Sequence, residues 1–441
     1  MLEIEQVDFA NGVKALVWAS DAEPGRVTVR VRFGAGYRAF DKDSAVYASL
    51  GQSALVGSGL GELGQNEIDR LATGRKLGFN FAINDAVFTL TAQTRSEDVG
   101  DQLYLFAAKL GMPRWDKDPV IRAKAAAELA YNTYSTSPGG ILNRDLEYLV
   151  TGGDPRFATP DPAALKAVTP EGFRAVWEPL LQQGPIEVLV FGEFDQAKVI
   201  EQLRLTFGAL PARDPIPADV AARVPPFAAT EEKPEVVTHR GDANQAAAVV
   251  AWPSGGGVAS LRESRQLEIL TQLFNNRLLE ALRERAGASY SPQVFSNWPA
   301  DLASGGRITA LAQLEPEFVP VFFAEADRIA KDLAANPPTA DELARVTEPL
   351  SQQIRRASTG NQFWLYNLEG ATQDPQRVVL LRSLLVDYSQ TSPQVMQFLA
   401  DRYLAKTTPY RLAIIPEGQS LAQAPSGGAA LNPAQVAPLG R

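Results

Sequence analysis

The sequence predicts an α+β fold built from two tandem homologous repeats, each an antiparallel sheet backed by helices. Strand–helix pairs recur at a common offset of roughly 220 residues. A proline-rich stretch divides the 441-residue chain near its middle, and 45% hydrophobic with 21% charged residues suits a soluble chain large enough for more than one core.

The first copy opens with the strand Val27–Phe33 and a Gly34–Gly36 loop, followed by a helix in which Val46, Tyr47, Leu50, Ala54 and Leu55 recur at helical spacing. Next comes Gly59 to Gly64, which reads Gly-Leu-Gly-Glu-Leu-Gly and matches the dinucleotide-binding pattern. That site needs a strand directly before it, so that a helix N-terminus faces the pyrophosphate. A helix precedes it here, so the segment is expected to be a helix–turn–helix with permissive glycines. The alternating strand Val87–Gln93 leads to a helix from Ser96 to Leu110. Thr169 with Pro170 then caps a helix running to Trp177, and the apolar strand Ile186–Phe191 closes the copy.

The second copy follows the same order. Ala247–Trp252 is a strand, 254–257 a glycine loop, and Leu261–Arg285 a long helix whose Leu267, Leu270, Phe274, Leu278 and Leu282 form one apolar stripe. Arg307–Gln313 and the helix Glu317–Leu333 repeat the middle pair. Thr339 to Glu342 reads as a capping box opening a helix toward Arg356. Ser392 with Pro393 caps a helix leading through Tyr403 to the strand Tyr410–Ile415. The expected divisions are a first repeat over 1–210, a proline-rich linker over 211–235, a second repeat over 236–418 and a flexible tail over 419–441.

Composition excludes several chemistries. With no cysteine there are no disulfides, thiolate metal sites or cysteine nucleophiles. The single histidine, His239, would have to carry any imidazole chemistry alone, and it is expected on an edge strand with its ring at the surface. A formal charge of −9 argues against nucleic acid as a partner. No apolar run is long enough to span a bilayer. The N-terminus lacks a secretory signal, so the chain as written is expected in the cytoplasm, and a periplasmic location stays open if it is a processed or excised segment.

One segment stands out, Leu282 to Ser291. Arg283 lies in the last turn of the long helix, Gly287 is a helix stop, and Tyr290 begins an extended run. A planar guanidinium and a phenol brought together can receive a carboxylate or a peptide carbonyl. An arginine that merely complements the helix dipole, beside a half-buried tyrosine, fits the spacing as well.

The whole arrangement resembles the pitrilysin/insulinase family of zinc metallopeptidases, the inverzincins, over nearly the full chain. The R-x-x-x-G-x-x-Y-like stretch of Arg283 and Tyr290 carries the most specific likeness, and the opening Asn11-Gly12-Val13 with its following strand adds to it. The resemblance implies that Arg283 and Tyr290 bind substrate backbone near the scissile bond. It also implies that the two repeats form half of a clamshell. The family's catalytic H-x-x-E-H falls on Ala48, Gly51 and Gln52, so both imidazoles and the general base are missing. The third ligand position falls near Glu128, more simply a solvated helix residue. The implied role is a non-catalytic subunit, not an autonomous peptidase. It would have no metal of its own and would complete the active site of a zinc-bearing H-x-x-E-H partner, acting on a peptide substrate. A structural subunit like the peptidase-derived core proteins of a respiratory complex, and a stand-alone peptide-binding clamshell, are the alternatives.

Overall fold

The computed structural model describes residues 3–229, 233–286 and 291–421. Six strands form the first sheet: β1 (Glu5–Asp8), β2 (Lys14–Ala19), β3 (Val27–Phe33), β4 (Asn80–Ile83), β5 (Phe88–Thr94) and β6 (Ile186–Gly192), in the order β1-β2-β6-β3-β5-β4. Five form the second: β7 (Glu235–His239), β8 (Ala246–Pro253), β9 (Gln293–Asn297), β10 (Arg307–Leu314) and β11 (Tyr410–Pro416), in the order β7-β11-β8-β10-β9. Without β1, the first order becomes the second when five is added to every number. Each sheet is antiparallel except for one parallel pair, β2 with β6 and β7 with β11. Strictly alternating sequence patterns do not reveal those pairs.

The principal helices repeat in the same way. In the first unit they are α1 (Ala45–Val56), α2 (Val99–Gly111), α3 (Lys117–Tyr134), α4 (Pro138–Val150) and α5 (Pro170–Leu181). In the second they are α6 (Leu261–Ala286), α7 (Val319–Ala335), α8 (Ala340–Ala357), α9 (Asn361–Leu368) and α10 (Pro393–Ala400). Their starts follow from local chemistry. Thr169 accepts from the Gly172 N–H at 3.0 Å and Ser392 from the Val395 N–H at 3.3 Å, each with proline at the first helical position. Thr339 accepts from the Glu342 N–H at 3.1 Å, but the capping box is only half made. The Glu342 side chain turns away to Arg277, at 2.6 and 2.9 Å, and that partner holds its carboxyl below the usual range. The short helix Gln65–Leu71 follows α1 across the glycine-rich turn, so no strand precedes that turn.

Each sheet buries one face under its own helices. Val27, Val29, Val31 and Phe33 of β3 point into the first core, and Ala246, Ala248, Val250 and Trp252 of β8 into the second. The opposite faces are covered by exchange. From the first unit, α4 lays Ile141 and Val150 on Ala247, Val249, Leu412 and Ile414 of the second sheet. From the second unit, α9 lays Leu365 and Leu368 on Leu16, Trp18, Leu189 and Phe191 of the first. The proline-rich stretch is strapped to the protein: Arg223 donates to the Arg38 and Phe40 carbonyls, and the Ala228 N–H to the Val150 carbonyl at 2.9 Å. Residues 422–441 of the expected tail lie outside the described residues. Among the described residues, no helix is long and apolar enough to cross a membrane.

His239 corrects an expectation. Its strand is at the sheet edge, but the ring is 1% exposed. Nδ1 accepts from the Gly241 N–H at 3.1 Å, and Nε2 donates to the Gln245 carbonyl at 2.7 Å. The turn after β7 docks on the loop between α3 and α4, where the Arg240 N–H meets the Ser135 carbonyl at 2.7 Å. This docking closes the ring off from water.

Candidate functional site

The three positions of the degenerate motif lie on α1. Ala48 and Gly51 are buried, whereas Gln52 faces outward. Against Gly51 stands Trp177 of α5, itself wholly buried, with its Nε1 donating to the Tyr47 carbonyl at 2.9 Å. A Cβ on Gly51 would lie 2.1 Å from Trp177 Cζ2, so the ring rests directly on the helix backbone. Phe40, Phe81, Phe88 and Phe173 surround that ring at centroid distances of 5.3 to 6.2 Å. A glutamate side chain, the general base of such a site, has no room at position 51 against a ring so packed. Glu128 on α3 is half-buried, and among the described residues no group of three or more His, Cys, Asp or Glu is placed to hold a metal. The residues present do not fit zinc.

Arg283 is exposed, near the C-terminal end of α6. Tyr290 lies outside the described residues, and with it the pairing expected between the two.

A cleft that motif reading missed runs between the two units. One part, about 520 Å³, lies over the outer face of β3, β4 and β5, with the 298–302 loop opposite. An adjoining part, about 730 Å³, continues along the first half of α6 as far as Gln272. A network of ion pairs spans the two units here, crossing at Arg32–Asp301 and Arg30–Glu369. Arg32 binds Glu187 at 3.0 Å and Asp301 at 2.6 Å. Arg377 also binds Asp301, at 2.5 Å, and Arg30 binds Glu369 at 2.6 Å. Glu187, 1% exposed, accepts in addition from the Gly370 N–H at 2.6 Å and from Thr372, through N–H at 3.0 Å and hydroxyl at 2.7 Å. Burial pulls the Arg32 pKa down, but the carboxylates of Asp301, Glu187 and Glu369 outweigh it and the guanidinium is held above its ordinary value. Burial raises Asp85, in the β4–β5 turn, above the usual carboxylate range. The available sequence signal was Arg30 and Arg32 at alternate positions of a valine-rich strand, two charges on one sheet face.

Residues 167–350 match the family model of the peptidase M16 inactive domain. This part of the chain is similar to that family's inactive domain. The M16 match runs from the end of the first unit into the second, across the proline-rich stretch. None of the curated proteins matches the chain. Among solved structures, a protease from Helicobacter pylori superposes with a TM-score of 0.78 at 16% identity, covering 94% of this chain and 100% of the other. The periplasmic protease PqqL from Escherichia coli superposes with a TM-score of 0.77 at 15% identity, over 95% of this chain but only 46% of PqqL. A peptidase M16 inactive domain from Pseudomonas fluorescens gives 0.75 at 16% identity, over 96% and 100%. At such identities the likeness is one of fold: the chain has the architecture of a whole short neighbour and of less than half of a long one.

Proposed function

We propose that this chain is the non-catalytic half of an M16-type zinc peptidase. In this reading it presents Arg283 and Tyr290 to the active site of a zinc-bearing H-x-x-E-H partner, as a heterodimer or as part of a longer two-half chain. The observation that carries the proposal is the inactive-domain match over 167–350, joined to an α1 whose Gly51 is packed under Trp177. The 46% coverage of PqqL supports a missing second half of similar size. Arg283 is exposed at a helix end, where a fork of guanidinium donors can reach a peptide carbonyl contributed across an interface. The first repeat is proposed to span 1–210 and the second 236–418, with Arg283 and Tyr290 on the second.

The test mixes the purified chain with a candidate H-x-x-E-H partner from the same genome and follows cleavage of a fluorogenic peptide, with metal content measured in parallel. The isolated chain is expected to hold no stoichiometric zinc and to cleave nothing, and the mixture to be active. Arg283→Ala or Tyr290→Phe should lower the activity of the pair by about a hundredfold with its zinc retained. Full activity in both variants removes these residues from the site. Zinc-dependent cleavage by the isolated chain refutes the reading altogether.

A further inference from the structure

The two units provide an internal comparison. The outward residues of β8 are Ala247, Val249 and Ala251, and Tyr410 pairs with Ala251 across β11; all four belong to an apolar cluster under α4. At the corresponding places in the first sheet stand Thr28, Arg30 and Arg32, with Glu187 of β6 paired across from Arg32. The fold therefore does not need charge at these four places, since its second copy has none there and keeps its charges, Arg307 with Glu147 and Glu235 with the Tyr410 hydroxyl, farther out on the face. Buried ion networks are often no more stable than the apolar packing that can replace them. The charges beside the 520 Å³ cleft therefore call for an explanation other than folding.

Exposure differs sharply within the network. The Arg32 and Arg377 side chains are 5% and 9% exposed, whereas Asp301, which bridges them, is 34% exposed and sits on the 298–302 loop. Both arginines are held without Asp301, Arg32 by Glu187 and Arg377 by the Glu369 carbonyl at 2.9 Å. The Nε atoms of Arg30, Arg32 and Arg377 have no hydrogen-bond partner. When Asp301 turns outward into water, those three cations keep only Glu187 and Glu369 as ion-pair partners, and the place between Arg32 and Arg377 is left without a carboxylate. Asn80, Asn84, Gln362 and Tyr366 line the same cleft and supply neutral hydrogen-bonding groups of the kind that receive peptide amides.

We propose that this cleft is a binding site for a carboxylate-bearing peptide, whose carboxylate takes the place that Asp301 holds between Arg32 and Arg377. Asp301 is then an internal competitor that fills the carboxylate position of the empty site. The site is separate from Arg283, which lies eleven residues, about 16 Å, beyond Gln272 along α6. It needs neither zinc nor a partner, so it stands or falls apart from the function proposed above.

The experiment is calorimetric titration of the isolated full chain with end-blocked Ala-Glu-Glu-Ala, end-blocked Ala-Gln-Gln-Ala, and Ala-Gln-Gln-Ala with a free C-terminus. The blocked Glu peptide is expected to bind at least tenfold tighter than the blocked Gln peptide. The free-ended peptide shows whether a main-chain carboxylate serves as well as a side-chain one. Asp301→Ala should tighten the Glu peptide about tenfold, and Arg377→Gln should weaken it by as much or more. Unchanged or weaker binding by Asp301→Ala overturns the proposal. If that variant does not fold, the wild type decides: equal affinity for the two blocked peptides also overturns it.

Discussion

Substituting Gly51 by alanine tests whether the motif helix has been rebuilt as core. The change adds one methyl group to a helix interior, where alanine is favoured over glycine by about 1 kcal/mol. Here that methyl would meet Trp177 Cζ2 at 2.1 Å, well inside van der Waals contact. The indole has little room to retreat, because four phenylalanine rings pack around it. Overpacking at the upper end of the usual range costs about 3 kcal/mol. Displacing the ring also stretches its 2.9 Å bond to the Tyr47 carbonyl, a loss of about 1 kcal/mol. The net expectation is destabilisation by about 3 kcal/mol, a fall of about 3 °C in Tm if the two units unfold together. Urea unfolding followed by tryptophan fluorescence, repeated in a Trp177→Phe background, is the assay. Phenylalanine lacks the atoms that collide, so there Gly51→Ala should be neutral or slightly stabilising, a coupling of about 3 kcal/mol. A Gly51→Ala protein as stable as the wild type would refute the argument. The same collision means that restoring histidines at positions 48 and 52 and glutamate at 51 will not produce a zinc site unless Trp177 is removed as well.

Glu187→Gln deprives the buried Arg32 of its charged partner, and urea denaturation should show a loss of about 3 kcal/mol; a loss under 1 kcal/mol would mean that Asp301 alone satisfies the guanidinium. Lys109, which donates to the Leu55 carbonyl at 3.0 Å and to that of Ser58, is pulled down by burial to a pKa of about 8 from 10.5. Between these values the unfolded chain holds the proton and the folded chain has released it, so this group's contribution to stability rises with pH, by up to about 3 kcal/mol. Urea midpoints of wild type and Lys109→Met between pH 7 and 10.5 should show the wild type gaining on the variant, and parallel profiles would refute the assignment. His239→Ala leaves the Gly241 N–H and the Gln245 carbonyl unpaired in a closed turn, and thermal unfolding should report a loss of about 3 kcal/mol.

Much of the fold was legible because it rests on local signals. The caps at Thr169 and Ser392, the alternating strands Phe88–Thr94 and Arg307–Leu314 and the stripe on Leu261–Ala286 each declare themselves within a short window. Their common offset then exposes the duplication. Long-range partners left no such trace. The turn holding His239 looks exposed until the Ser135 loop is seen against it, and Glu342 completes a capping box in sequence while Arg277, far along the chain, takes its side chain. The absence of histidine and glutamate at positions 48, 51 and 52 could be read from the sequence, but the indole packed against Gly51 could not. The cleft was missed for the same reason: Arg32, Glu187, Asp301 and Arg377 are scattered over the whole chain and meet only through tertiary structure.

The reciprocal placement of α4 and α9 bears on how the molecule can be divided. A chain cut within its proline-rich stretch would not yield two independent folding units. The first fragment would carry α4 with nothing beneath it and leave Leu16, Trp18, Leu189 and Phe191 open to water; the second would expose Val249, Leu412 and Ile414. Such faces favour aggregation or recapture of the missing half. Because α9 must cross from residue 361 to strands that hold Leu16 and Trp18, this contact forms only after about 350 residues of intervening chain, and such non-local closure slows folding. The duplicated unit has become indivisible by lending each copy a helix from the other.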